Sequence, residues 1–128
     1  MGSLSSLGNN TNLFWDNLVK GKNGVREISL FDTEKFKVSI AAEVNIDFSE
    51  YFSTKELNKL DRFSCFAIIA ADEAIKKSEL KINSPDKNRI GVIVGSGIGG
   101  INTFEKQHSR LLENPKKVSP YFIPTMIS

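Results

Sequence analysis

Apolar and polar positions change period several times along the chain, and each change predicts an element. Leu13, Phe14, Leu18 and Trp15 give an apolar face to a helix capped by Asn10 or Thr11. That helix runs to about Val19 and is ended by Gly21. Residues 20–24 read as a loop, and the mixed stretch 25–31 has room for a short strand. Phe36-Lys37-Val38-Ser39-Ile40 alternates apolar and polar as a half-buried strand does, and the pattern continues through Ala41-Ala42-Glu43-Val44. Residues 47–52 read as a turn. Ser53 and Glu56 then form an S-x-x-E capping box that starts a helix carrying Leu57 and Leu60.

Residues 62–77 carry the strongest helical pattern. Phe63, Phe66, Ala67, Ala70, Ala71, Ala74 and Ile75 recur at spacings of three and four, and Ile68 and Ile69 widen the apolar surface. The alanines leave room for another backbone to come close. Residues 80–88 form a polar connection containing Pro85. Residues 90–94, Ile-Gly-Val-Ile-Val, are apolar on both faces, which predicts a central parallel strand covered on both sides by helices. A helix opens at Ile98 or Gly99 and runs to about Leu112, carrying Ile101, Phe104, His108, Leu111 and Leu112. Asn114-Pro115 stops it, and Ser119-Pro120 begins a last short element over residues 121–127. Helices alternating with strands predict an α/β layer that lacks some of its strands.

Composition narrows the class. The chain has 128 residues, which is one domain at most or a piece of a larger one. Its 40% hydrophobic and 25% charged residues are ordinary for a globular protein. A net charge of +2, with basic residues clustered no further than Lys76-Lys77 and Lys116-Lys117, argues against nucleic acid and against a membrane surface. One cysteine excludes an internal disulfide and fits a reducing, cytoplasmic setting. No apolar stretch approaches the roughly 20 residues that span a bilayer.

The strand at 90–94 feeds into glycines at 95, 97, 99 and 100, and Gly95, Gly97 and Gly100 satisfy G-x-G-x-x-G. In a dinucleotide fold this turn holds a pyrophosphate against a helix N-terminus. Such a fold also needs a second parallel strand ending in an acidic residue about 20 positions on. Glu113 is near that distance but precedes Asn114-Pro115, and prolines at 115, 120 and 124 exclude a buried strand there. The glycines therefore fit a close approach to an acyl chain or to another segment better than a nucleotide cofactor.

Other chemistry is sparse. Cys65 lies on an apolar helix, where a thiol is buried and inert. His108, the single histidine, falls mid-helix at a surface or boundary position, and Cys and His are too few for a zinc site. Asp72 and Glu73 are adjacent and do not share a helical face. Asp61-Arg62 fits a charge pair at a helix end. No nucleophile–base pair is present, so no catalytic, metal or cofactor residue is assigned.

The segments in order resemble a known family. SSLGNNTNLFWDNLVKGKNGV (5–25), FDTEKFKVSIAAEV (31–44), YFSTKELNKLDRFSCFAIIAADEAI (51–75), RIGVIVGSGIGGINTFEKQ (89–107) and VSPYFIPTMI (118–127) resemble the N-terminal part of β-ketoacyl-acyl-carrier-protein synthases, most of all the ketosynthase II type. LDRF and GSGIGG followed by SPYFIP carry more weight than the glycines alone. The resemblance implies a partial thiolase-like fold, α/β, with the first strand and the C-terminal half missing, so that residues 1–128 are the N-terminal portion of a β-ketoacyl synthase N-terminal domain. It implies decarboxylative Claisen condensation of acyl and malonyl thioesters in fatty acid or polyketide synthesis, with acyl carrier protein as partner, a homodimer, and no cofactor.

A cysteine takes the acyl group in this family, and two histidines assist decarboxylation and hold the developing charge. The resemblance places all three beyond residue 128, so these residues alone are expected to be inactive. Carried over are Ile98, in Gly97-Ile98-Gly99, as a residue lining the acyl pocket near the nucleophile and influencing chain length, and Phe122 as an aromatic closing its far end across the dimer interface. Two alternatives compete: a non-catalytic chain-length-factor partner, and a dinucleotide-binding module. An α/β layer missing strands exposes apolar edges and faces. Expressed as these 128 residues, the protein is expected to aggregate or to require a partner; a monomeric, cooperative thermal melt in dilute solution would contradict this.

Overall fold

A computed structural model describes residues 1–80 and 88–127. The elements are α1 (Thr11–Val19), β1 (Arg26–Glu27), β2 (Ile40–Ala41), α2 (Thr54–Leu57), α3 (Arg62–Ser78), α4 (Ile101–Glu113) and α5 (Phe122–Met126), with 3-10 turns at Phe48–Glu50 and Pro115–Lys117. They fall into two compact units. One comprises residues 1–47 and 69–80, the other residues 48–68 and 81–128.

In the first unit, Asn10 caps α1 by accepting from the Leu13 amide at 2.9 Å, and Gly21 turns the chain away with φ +65°, a conformation that favours glycine. β1 and β2 form an antiparallel pair in the register Arg26↔Ala41 and Glu27↔Ile40, extended by a bond from Ile28 N to Ser39 O. Glu43 ties this hairpin from the side. Its carboxylate accepts from the Ser29 amide at 2.9 Å, the Ser29 hydroxyl at 2.8 Å and the Leu30 amide at 3.2 Å. Those bonds, the Ser29 amide foremost, hold its acid below the usual carboxylate range.

The alternating stretch 36–44 is only partly a strand. Phe36 closes a turn on Thr33, and Phe36 and Val38 are exposed; Phe31 and Phe36 pack edge to face instead. Alternation marks a strand only where a neighbour supplies the ladder, and here that neighbour is two residues long.

Glu73 organises the same unit. Its two oxygens accept from the Ser3 and Thr11 amides, each at 2.9 Å, and Lys77 pairs with it at 2.7 Å. The Gly2 backbone lies against Ala70 and Ala74 so closely that a Cβ there would collide with the helix backbone. The small residues of α3 thus do admit another backbone.

The buried stripe of α3 is not the predicted one. Cys65 and Ile69 are buried, whereas Ala71 and Ile75 are exposed. The helix spans Arg62–Ser78 as expected, but its face is rotated toward Cys65, Ile69 and Glu73, because the segments lying on it set which side closes.

In the second unit, Ser53 and Glu56 form the expected capping box on α2. Arg62 lies over the rings of Phe48 and Phe66 at 5.4 and 5.2 Å. α4 begins at Ile101, later than predicted, and Asn114 ends it while capping the following 3-10 turn. Buried Gln107 accepts from the Ser119 amide at 2.8 Å, fastening α4 to the segment that leads into α5.

Residues 90–94 form no strand. Val92 is 83% and Ile93 98% exposed. A strand exists only as part of a ladder, and among the described residues no other strand pairs with this run. The polar connection predicted at 80–88 lies mostly outside the described residues.

Burial alone would raise the acid of Glu73, but the Lys77 ammonium and the Thr11 and Ser3 donors outweigh it and hold the pKa at about 2. A carboxylate depressed in this way stabilises the fold fully above its unfolded value, and that contribution is lost as pH falls through the folded value. In the full-length protein, Glu73→Gln is expected to cost about 2 kcal/mol at pH 7. The gap from wild type in urea unfolding should narrow as pH falls from about 4.5 toward 2; a gap independent of pH would contradict the assignment.

Candidate functional site

The glycine turn is held from its far side by a buried carboxylate. Asp61, only 4% exposed, stands just ahead of α3, and its backbone oxygen accepts from the Cys65 amide at 3.1 Å. Its Oδ1 receives a long bond, 3.5 Å, from the Phe63 amide. Its Oδ2 accepts from both the amide and the hydroxyl of Thr103, at 2.8 and 2.6 Å. One side chain therefore caps the first turn of α4 while sitting at the start of α3. A buried carboxylate is costly unless several donors satisfy it, and the positive end of α4 adds to that compensation.

The expected Asp61-Arg62 charge pair is not the arrangement found. Asp61 turns to Thr103, and Arg62 to the aromatic rings. Adjacent helical residues project in different directions, so a neighbour in sequence is a poor partner.

Gly100 completes the junction. Its amide donates to Met126 O at 2.8 Å, joining the start of α4 to the end of α5. A Cβ at Gly100 would stand 2.8 Å from Met126 Cα and 3.1 Å from Asp61 Oδ2, so this position admits no side chain. Gly99 has φ +81° and donates to Ser96 Oγ at 3.0 Å. At Gly97 the space around a Cβ would be open.

Ile98 sits at the apex of the turn, 79% exposed. Phe122 is half-buried on α5, its ring 6.2 Å from that of Phe104 on α4. It borders a groove of about 200 Å³ with Thr103, Gln107, Tyr121 and Thr125. The two sequence-predicted pocket residues thus lie on segments joined by the Gly100–Met126 bond. Asp61 and Gln107, which hold those segments, were not singled out as site residues. The LDRF tetrapeptide was the available signal for Asp61; for Gln107 there was none.

The remaining candidates stay outside the site. Cys65 is 2% exposed; burial, with Asp61 adding to it, pushes its thiol up and away from the reactive thiolate. His108 is exposed and stacks on Phe104. Asp72 pairs with Lys76 in solvent while Glu73 faces inward, as residues one apart on a helix must.

A family model described as the β-ketoacyl synthase N-terminal domain matches residues 1–128. The chain belongs to the β-ketoacyl synthase family. It is 44% identical over 129 aligned residues to a 3-oxoacyl-[acyl-carrier-protein] synthase 2 of Staphylococcus aureus, covering 99% of this chain and 32% of that protein. It is 40% identical to the protein of the same name from Vibrio cholerae, covering 31% of it. The chain therefore spans about a third of the length of the curated relatives it matches.

Among solved structures, the ishigamide ketosynthase/chain length factor aligns with a TM-score of 0.77 at 23% identity, covering 98% of this chain and 32% of that one. A type II polyketide synthase ketosynthase, in complex with its acyl-carrier protein and bound to a hexaketide, aligns with a TM-score of 0.64 at 27% identity, covering 94% and 32%. These likenesses bear out the partial, thiolase-like α/β fold class.

The turn of this β-ketoacyl synthase chain is poorly suited to pyrophosphate. A dinucleotide site needs free amides at the helix start. Here the Thr103 amide is taken by Asp61 and the Gly100 amide by Met126. An incoming phosphate would have to displace a buried carboxylate of its own sign. Titration of the full-length protein with NAD or FAD is expected to show no saturable binding at micromolar concentrations; saturable binding lost in a Gly100→Ala variant would overturn this.

Proposed function

We propose that residues 1–128 form the N-terminal portion of the N-terminal domain of a 3-oxoacyl-[acyl-carrier-protein] synthase. The observation that carries the proposal is 44% identity over 99% of the chain to a synthase of that name. In this reading the whole protein works in the cytoplasm as a homodimer, on acyl and malonyl thioesters of an acyl carrier protein. The likeness to a ketosynthase solved with its acyl-carrier protein supports that choice of partner.

The chemistry follows from the thioesters. A cysteine thiolate from the remainder of the protein takes the acyl group and releases the carrier thiol. Malonyl thioester loses carbon dioxide, and the resulting carbanion attacks the acyl-enzyme carbonyl. The C–C bond forms, the cysteine leaves as thiolate, and the product is a 3-oxoacyl thioester two carbons longer. The present residues contribute a pocket wall: Gly97 and Gly99 bring the backbone close, Ile98 presents an apolar side chain, and Phe122 closes the far end of the partner subunit's pocket across the dimer interface. Apolar walls of this kind select acyl length by shape.

A second reading is supported by the likeness to a ketosynthase/chain length factor: the protein would shape the acyl pocket of a partner and carry no nucleophile. One experiment separates the two. The purified full-length protein is mixed with acyl-carrier thioester and then malonyl-carrier thioester, and followed by intact-protein mass spectrometry and product analysis. The enzyme reading expects an acyl-enzyme adduct and a product two carbons longer; absence of both without a partner subunit favours the chain-length factor. In the active enzyme, Ile98→Phe is expected to shorten the longest acyl chain accepted, with kcat/KM for short acyl thioesters kept within about threefold.

A further inference from the structure

We propose that Asp61 and Thr103 are positioning residues for the acyl-pocket wall, coupling the Ile98 turn to the Phe122 helix. This rests on the functional reading above and adds to it a device that links the Ile98 wall of one pocket to the Phe122 that the same chain lends across the dimer interface.

The geometry supplies the coupling. The Asp61 carboxylate fixes the first turn of α4 through two short bonds to Thr103, at 2.8 and 2.6 Å. Three residues earlier, Gly100 is pressed between that carboxylate and the backbone of Met126, with its amide bonded to Met126 O at 2.8 Å. Ile98 precedes this junction by two residues. Phe122 precedes Met126 by four, at the other end of α5, and its ring lies 6.2 Å from that of Phe104, the residue after Thr103 on α4. A second bond holds α5 near the same carboxylate: the Thr125 hydroxyl donates to Lys59 O at 3.2 Å, two residues ahead of Asp61. The start of α4 thus cannot shift without carrying the Ile98 turn and the end of α5 with it.

Asp61 is suited to this task because it is buried and fully engaged. Thr103 offers the carboxylate both an amide and a hydroxyl, so loss of the hydroxyl loosens the junction and leaves the helix cap in place. The coupling would be felt most by long acyl chains, which reach past Ile98 toward a Phe122 side chain.

The test uses the full-length enzyme. Thr103→Val removes one bond and keeps the volume; Thr103→Ser restores the hydroxyl; Asp61→Asn keeps an acceptor for the Thr103 amide. Thr103→Val is expected to lower kcat/KM by about tenfold for the longest acyl thioesters, since small misplacements in a binding wall are costly. It should lower the rate of acyl-enzyme formation from the shortest acyl group far less. Thr103→Ser and Asp61→Asn should recover most of the long-chain rate. Hydrogen exchange should show protection falling together in residues 96–104 and 120–127 of Thr103→Val. An equal loss at all chain lengths, no loss at any, or exchange changes confined to residues 101–105 would overturn the proposal. A wild-type enzyme that condenses no acyl group would overturn the functional reading on its own, and the pocket role with it.

Discussion

A carboxylate removed from water must find donors, and in this chain that requirement fixes where three segments meet. Asp61 is 4% exposed and receives the Thr103 amide and hydroxyl. Its neighbour Gly100 has no room for a side chain because Met126 and Asp61 occupy the space. Take away that acceptor, and the start of α4 loses its cap. Take away the glycine, and α5 cannot approach. The glycine turn, which on spacing alone looks like a phosphate cradle, is instead the outer edge of this junction.

The first unit relies on the same kind of device. Glu73 gathers the Ser3 amide, the Thr11 amide and the Lys77 ammonium, as Asp61 gathers Thr103. Both carboxylates lie at or on α3, and each binds backbone amides from segments far away in sequence. Hydrogen bonds to a charged acceptor are stronger than neutral ones, which suits them to places where apolar burial is thin. Few large apolar side chains of this chain are buried among the described residues, and residues 92–94 are open to solvent.

How much was legible in advance depended on the range of the interaction. The cap at Asn10 or Thr11, which the structure resolves to Asn10, the Ser53–Glu56 box and the stop at Asn114-Pro115 involve residues within four positions of one another, and spacing is enough to place them. The strand at 90–94 is not placed that way, because apolar character expresses a tendency that only a paired neighbour can realise. The face of α3 was displaced for a related reason. Periodicity identifies an amphipathic helix, but several apolar positions all round it leave the buried side to be chosen by whatever packs there.

Sequence by itself therefore determined the capped helices and the family. Capping residues act within one turn, and the order of segments carries the family; the pocket roles of Ile98 and Phe122 are what that resemblance implies. Only the tertiary structure decided that Asp61 faces Thr103 and not Arg62, that Gly100 is filled by the backbone of α5, and that the amides a phosphate would need are already taken. Those outcomes depend on which distant donors come within hydrogen-bond range of a buried acceptor. No spacing rule along the chain encodes that distance.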